Sequence, residues 1–277
     1  MNLADANNRL GKLDIGAAWY RRALLMCDSL HMASTKKPPI YYGLAQVYVT
    51  MRDFEQCDYY YNLAGESYDN MLPYEKYIYL NNRGTSYYYR EDYQTAIKYF
   101  QKVIDLVEGY DDMSFELNLG RLNLGDCYLQ LNMVDLAVKY INECQLFFEE
   151  MGVSTALYYI DTQKIELALL QKDFQEARRL LSESVVPPGI DPDMVHIRNK
   201  YLQQFYEETG NYKRAYHYLQ RNNLLDDSIR NERVRMRTAD LTLRYQQDST
   251  LMAHRVLLQE QKNEVLVLRQ TQFVVFA

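Results

Sequence analysis

Residues 77–106 read YIYLNNRGTSYYYREDYQTAIKYFQKVIDL. Two apolar-periodic segments flank an aspartate, and small or ring-bearing residues fall at Gly84, Tyr87, Tyr93, Ala96, Phe100 and Val103, at spacings of 3, 6, 3, 4 and 3. On helices such spacings set a small residue where two helices approach closely and a ring or aliphatic chain where the gap must be filled. The stretch predicts one helical hairpin.

The same spacing recurs along the chain. Upstream it returns as Ala45, Tyr48, Phe54, Cys57, Tyr61 and Ala64, and before that as Leu13, Gly16, Tyr20 and Ala23. Downstream stand Gly125, Tyr128, Val134, Ala137, Ile141 and Cys144, followed by Ile165, Ala168, Phe174, Ala177, Leu181 and Ser184. The last copy is Gln203, Tyr206, Tyr212, Ala215, Leu219 and Asn222. Six copies at a period of roughly 40 residues predict a solenoid of stacked units.

The order small, Tyr, aromatic, Ala, aromatic, small resembles the tetratricopeptide repeat over residues 1–225. The period is longer than the ~34 residues usual for that repeat, so helices or connections should be longer. The resemblance implies an all-α, right-handed superhelical solenoid of about six hairpins, the first incomplete, serving as a protein- or peptide-binding scaffold.

Bulk properties agree. Glycine and proline are scarce, at 11 and 6 in 277 residues, and strand-like alternation is absent. The net charge of −6, with lysine and arginine mixed among the acids, carries no electrostatic footprint for nucleic acid. The 27 tyrosines, against nine phenylalanines and one tryptophan, have two readings. They fill the aromatic slots with hydroxyls at the solvent edge, or they line a groove for a peptide or glycan. The cysteines at 27, 57, 127 and 144 form no metal-ligand spacing, and Cys57 and Cys144 stand in small-residue slots, as buried free thiols would. They do not settle the redox compartment.

Turns carry their own signals. Asp53, Asp92, Asp173 and Asn211 stand where a short polar side chain would cap the second helix of a unit, Met133 being the exception. Pro38 and Pro39, Pro73, Pro187 and Pro188, and Asp191 before Pro192 mark unit boundaries. Residues 1–10 read as the second half of a first helix. No export signal is visible.

Residues 226–277 lack the repeat and contain neither glycine nor proline. They predict one long helix of ~60 Å at 1.5 Å per residue, its first part capping the solenoid. Leu251, Leu258 and Val265 recur every seven residues, but His254 and Gln261 occupy the half-heptad positions, so a homodimer through this helix rests on a partial seam. The run Phe273, Val274, Val275, Phe276, Ala277 is too short to cross a bilayer, which takes ~20 residues, and is read as the threshold of a span just beyond Ala277. Residues 235–277, with LTLRYQQ and LLQEQKNEVLVLR, also resemble the sensor half of membrane-anchored signalling proteins of Bacteroidetes-type bacteria. That resemblance implies an extracytoplasmic (periplasmic) location and an output module elsewhere.

No catalytic constellation, cofactor motif or metal site is read. His31, His196, His217 and His254 are scattered, and neither a phosphate loop nor a nucleophile elbow is present. In tetratricopeptide arrays the first helix of each unit lines the concave face. That places Tyr42, Gln46, Asn81, Thr85, Tyr88, Leu122, Asp126, Thr162, Glu166, Lys200 and Gln204 in the partner groove. The lysine, asparagine and arginine pattern with which chaperone-binding members clamp a terminal carboxylate is missing. The expected function is the sensing or partner-docking domain of a membrane-anchored bacterial regulator, with a free-standing cytoplasmic adaptor as the alternative.

Overall fold

Six helical hairpins follow one another in the computed structural model, which describes residues 2–30, 32, 36–183 and 186–275. The pairs are α1 (Asn2–Arg9) with α2 (Leu13–Ser29), α3 (Pro38–Thr50) with α4 (Phe54–Gly65), and α5 (Pro73–Tyr88) with α6 (Tyr93–Val107). Then come α7 (Ser114–Gln130) with α8 (Val134–Met151), α9 (Ser154–Leu170) with α10 (Phe174–Glu183), and α11 (Pro192–Glu208) with α12 (Tyr212–Val275). No strand occurs among the described residues. His31, Ser184, Phe276 and Ala277 lie outside them, as do the side chains of Phe273, Val274 and Val275.

One hairpin shows how the sequence makes them all. Pro73 opens α5, and the Glu75 carboxylate accepts the free Leu72 amide at 2.9 Å. The helix ends in a turn whose last residue before the cap, Glu91, is left-handed at φ 63°, and the Asp92 amide reaches back to the Tyr87 carbonyl at 3.1 Å. Asp92 then accepts the Thr95 amide at 3.1 Å and starts α6, which buries Ala96, Phe100, Val103, Ile104 and Val107 along one stripe. The left-handed residue recurs at Gly11, Arg52, Asn132, Lys172 and Gly210. Asp53, Asp173 and Asn211 cap as expected, and Met133 supplies no side-chain cap.

Small residues sit where helices touch. A Cβ added at Gly84 would lie 2.7 Å from the Phe100 ring, and one at Gly125 would lie 3.1 Å from Ile141. Ala96 and Ala137 are fully buried. The first helices α3, α5, α7, α9 and α11 stand side by side as an inner layer, each backed by its partner outside. The tyrosines depart from the expectation of hydroxyls at the solvent edge. Tyr48 and Tyr61 are fully buried, the Tyr61 hydroxyl has no partner, and the Tyr48 hydroxyl belongs to an interior network. All four cysteines are buried free thiols.

The stack curls until its two ends meet. The last helix α12 runs unbroken through residue 226, packs along α11, and then docks on α2. There Asp240, 2 % exposed, takes Arg21 at 2.7 Å and the Tyr48 hydroxyl at 3.1 Å, and Gln247 bonds both Arg21 and the Ala18 carbonyl. A second tie lies nearer the groove, where Asp193 at the start of α11 takes Arg52 at 2.9 Å and also pairs with Arg233 of α12. The Arg52 guanidinium lies over the Tyr89 ring at 3.6 Å.

Gly84→Ala gains helix propensity yet forces the 2 %-exposed Phe100 aside, and should lower stability, read as a urea midpoint, by about 1–2 kcal/mol. Asp240→Ala leaves the buried Arg21 cation without its counter-charge, a loss of about 3–5 kcal/mol, and should speed amide exchange over residues 229–247 before α5 to α9 respond. Replacing the pair together, Arg21→Met with Asp240→Leu, should restore the docked helix.

Candidate functional site

The inner layer encloses two adjoining hollows. One is a cavity of about 240 Å³ walled mainly by Phe115, Leu119, Leu122, Ala156, Met194 and Ile197. The other is a groove of about 540 Å³ bordered by Tyr93, Gln130, Glu166, His196, Lys200 and Tyr201. Tyr88, Tyr89, Asp126, Tyr159 and Gln163 belong to both. A ligand reaching across them would meet an apolar chamber on one side and a polar floor on the other.

The floor is a hydrogen-bonded acid pair. The Gln130 amide donates to both Glu166 oxygens, at 3.2 and 3.3 Å, one helical turn after Asp126. Tyr88 and Tyr201 line the same groove as the two acids. Burial, followed by the neighbouring Glu166 charge, raises Asp126 to about 7 despite its bonds from Tyr88 and Gln130. Burial also lifts Glu166, opposed by Tyr201, Gln130 and the Lys200 charge. Among the described residues neither carboxylate has a cation within ion-pair distance, and no group of ligands for a metal ion occurs. Burial pushes the Cys57 thiol up to about 11 and the Cys144 thiol up to about 12.

Of the residues expected in the groove, Thr85, Tyr88, Leu122, Asp126, Thr162, Glu166 and Lys200 line the two hollows. Thr162 is buried, its hydroxyl donating to the Tyr158 carbonyl at 2.8 Å and accepting from Arg198 at 3.2 Å. Asn81 ties α5 to α7 by accepting the Asn123 amide at 3.0 Å. Tyr42 and Gln46 stand elsewhere. Tyr42 sits among Asp5, Tyr74 and Glu75, where burial and those charges raise it to about 12, and Gln46 lines a separate hollow beneath α12. Gln204 bonds Glu208 on the surface of α11. The repeat frame gives the helix that faces inward but not how far each face turns away from the axis, so the two ends of the array drift out of the groove.

Sequence reasoning missed Gln130, Gln163, Tyr159 and Tyr201, and the Arg52–Asp193–Arg233 tie at the rim. Gln130 follows Asp126 by one helical turn and Gln163 interrupts an otherwise apolar face of α9, which are the signals that could have found them.

Comparison with known proteins supports this architecture. Sequence models of the tetratricopeptide repeat match residues 77–110 and 120–146. The anaphase-promoting complex subunit CDC16 of Saccharomyces cerevisiae is 26 % identical over 163 residues, which are 57 % of this chain and 18 % of that protein. The chain thus spans about a fifth of that relative's length. Among solved structures, BtubC (BKLC) from P. vanneervenii superposes with a TM-score of 0.56 at 14 % identity, covering 79 % of this chain and 92 % of that one. The apo form of the quorum sensor NprR from B. thuringiensis gives 0.54 at 14 % identity, covering 88 % and 72 %. Both share the fold, an all-helical solenoid.

The acid pair makes stability depend on pH. Because the folded Asp126 titrates near 7, above the ordinary 3.8, the folded chain keeps a proton that the unfolded chain has released. That contribution is complete below 3.8 and is lost as pH rises through about 7. The melting temperature should therefore fall between about pH 4 and pH 7, and Asp126→Asn, neutral throughout, should flatten the fall. Equal slopes in the two proteins would contradict the assignment.

Proposed function

We propose that this chain, a tetratricopeptide-repeat protein, is a non-catalytic scaffold that holds an extended peptide segment of a partner along its inner layer. The observation that carries the reading is the pair of adjoining hollows, one apolar and one polar, that share a wall of tyrosines. Such a surface buries apolar side chains and still offers fixed acceptors and hydroxyls, which is how concave sites combine affinity with orientation. A role in sensing is consistent with the fold shared with the quorum sensor NprR.

The second part of the proposal concerns readout. The groove and the docked helix share Asp193, whose carboxylate ties Arg52 at the groove rim to Arg233 on α12. A ligand that favours one arrangement of this tie biases the position of α12 by its difference in affinity for the two states. The distal part of α12 leaves Leu251, Leu258 and Val265 at least partly exposed, a face for pairing two copies. A role as the extracytoplasmic sensing part of a membrane-anchored regulator belongs to the same reading and rests on the resemblance of residues 235–277. No helix of the described residues is long and apolar enough to cross a membrane.

A library of random dodecapeptides displayed on phage, panned on the purified chain, tests the scaffold reading. Recovered peptides should bind in the micromolar range by fluorescence anisotropy and lose at least about tenfold on Met194→Trp, which fills the wall shared by the hollows. Peptides that bind the filled variant equally well would place recognition elsewhere.

A further inference from the structure

We propose that the floor of the groove is a seat for a basic side chain of the bound peptide, a lysine or arginine held between Asp126 and Glu166, with the adjacent apolar side chain in the chamber beside it. The inference rests on the scaffold reading and adds the chemistry of the partner. Three features carry it.

The first is geometry. Asp126 and Glu166 line the same groove, the Gln130 amide one helical turn after Asp126 bonds both Glu166 oxygens at 3.2 and 3.3 Å, and the Glu166 charge acts on Asp126. A basic side chain entering the groove meets both acids on one wall. The second is an acceptor without a donor. The Gln163 side chain, 6 % exposed, gives its amide nitrogen to the Leu122 carbonyl at 3.1 Å, while its Oε1 has no partner. Gln163 lines both hollows, and its Oε1 lies 3.4 Å from where a Cβ on Gly125 would stand, beside Asp126. Two carboxylates and a carbonyl oxygen without a donor line the same groove.

The third feature is that the chain's own cations are spent elsewhere or held back. Arg52 is engaged by Asp193 and by the Tyr89 ring, and Arg233 by Asp193. Lys200 is exposed and forms no ion pair with Glu166. Tyr88 and Tyr201 line the groove with the two carboxylates. Next to this seat, Leu119, Leu122, Met194 and Ile197 offer an apolar pocket of about 240 Å³ for the neighbouring residue. An acidic side chain in the seat would meet the like charges of Asp126 and Glu166.

Three fluorescein-labelled dodecapeptide mixtures, random except for one central position fixed as Lys, Met or Glu, provide the probe. The full chain should bind the Lys mixture at least about tenfold more tightly than the Met mixture, and the Glu mixture least. The double variant Asp126→Asn with Glu166→Gln, which keeps shape and hydrogen bonding, should bind Lys and Met mixtures alike, and Glu166→Gln alone should lie between. Loss of the Lys preference in the double variant, at unchanged Met-mixture affinity, supports the seat. Equal or tighter binding of the Met or Glu mixture by the unmodified chain, or a Lys preference that survives in the double variant, overturns the seat and leaves the scaffold reading standing. Binding of none of the mixtures overturns both.

Discussion

The ion pair between Arg21 and Asp240 decides what kind of solenoid this is. It joins residues 219 positions apart, in the first hairpin and the last helix, and it lies in an interior where only 3 % of the Asp240 side chain is exposed. Taking both charges out of water is costly, and their attraction offsets that cost only with good geometry and satisfied neighbours. Tyr48 and Gln247 supply those neighbours. An array without such a tie would be an open coil whose curvature could vary, whereas here the two ends are fixed and the inner surface becomes a bounded chamber.

Reaching that closure requires each hairpin to repeat one local geometry. A left-handed residue ends the first helix, and a short polar side chain at Asp53, Asp92, Asp173 or Asn211 caps the second. A small residue then lets the paired helices approach, and Gly84 against Phe100 and Gly125 against Ile141 are the same contact in successive units. Since each unit touches mainly its neighbours, a small error in packing angle at any unit would accumulate along the array and carry α12 away from α2. The chamber is thus the sum of local contacts, and its polar floor is positioned by α7, α9 and α11 together.

The hairpins were legible because their signals are short-range: spacings within one helix, a cap three residues from its amide, a proline at a first turn. Legible too was the inward direction of Tyr88, Asp126 and Glu166, in the middle of the array, where the frame is well fixed. The docking of α12 was not, because nothing in the neighbourhood of Asp240 announces a partner 219 positions earlier in the chain. Tyr48 and Tyr61 misled for a related reason. A tyrosine in an aromatic slot has the same sequence signature whether its hydroxyl reaches solvent or, as here, is enclosed by later hairpins. Gln163 stands next to Thr162, and a single amide on a buried helix reads as a neutral exception until its lone acceptor is seen in the groove of the acid pair.

Closure of the array is the claim on which the chamber, the readout and the ligand chemistry all stand. It is tested most directly by spin labels at Arg22→Cys on α2 and Leu241→Cys on α12, both at exposed positions beside the ion pair, with the native thiols buried. Pulsed dipolar spectroscopy should give one short and narrow distance. A broad distribution reaching the span of a freely swinging α12 would show that the ends do not meet, and that the inner layer is an open face.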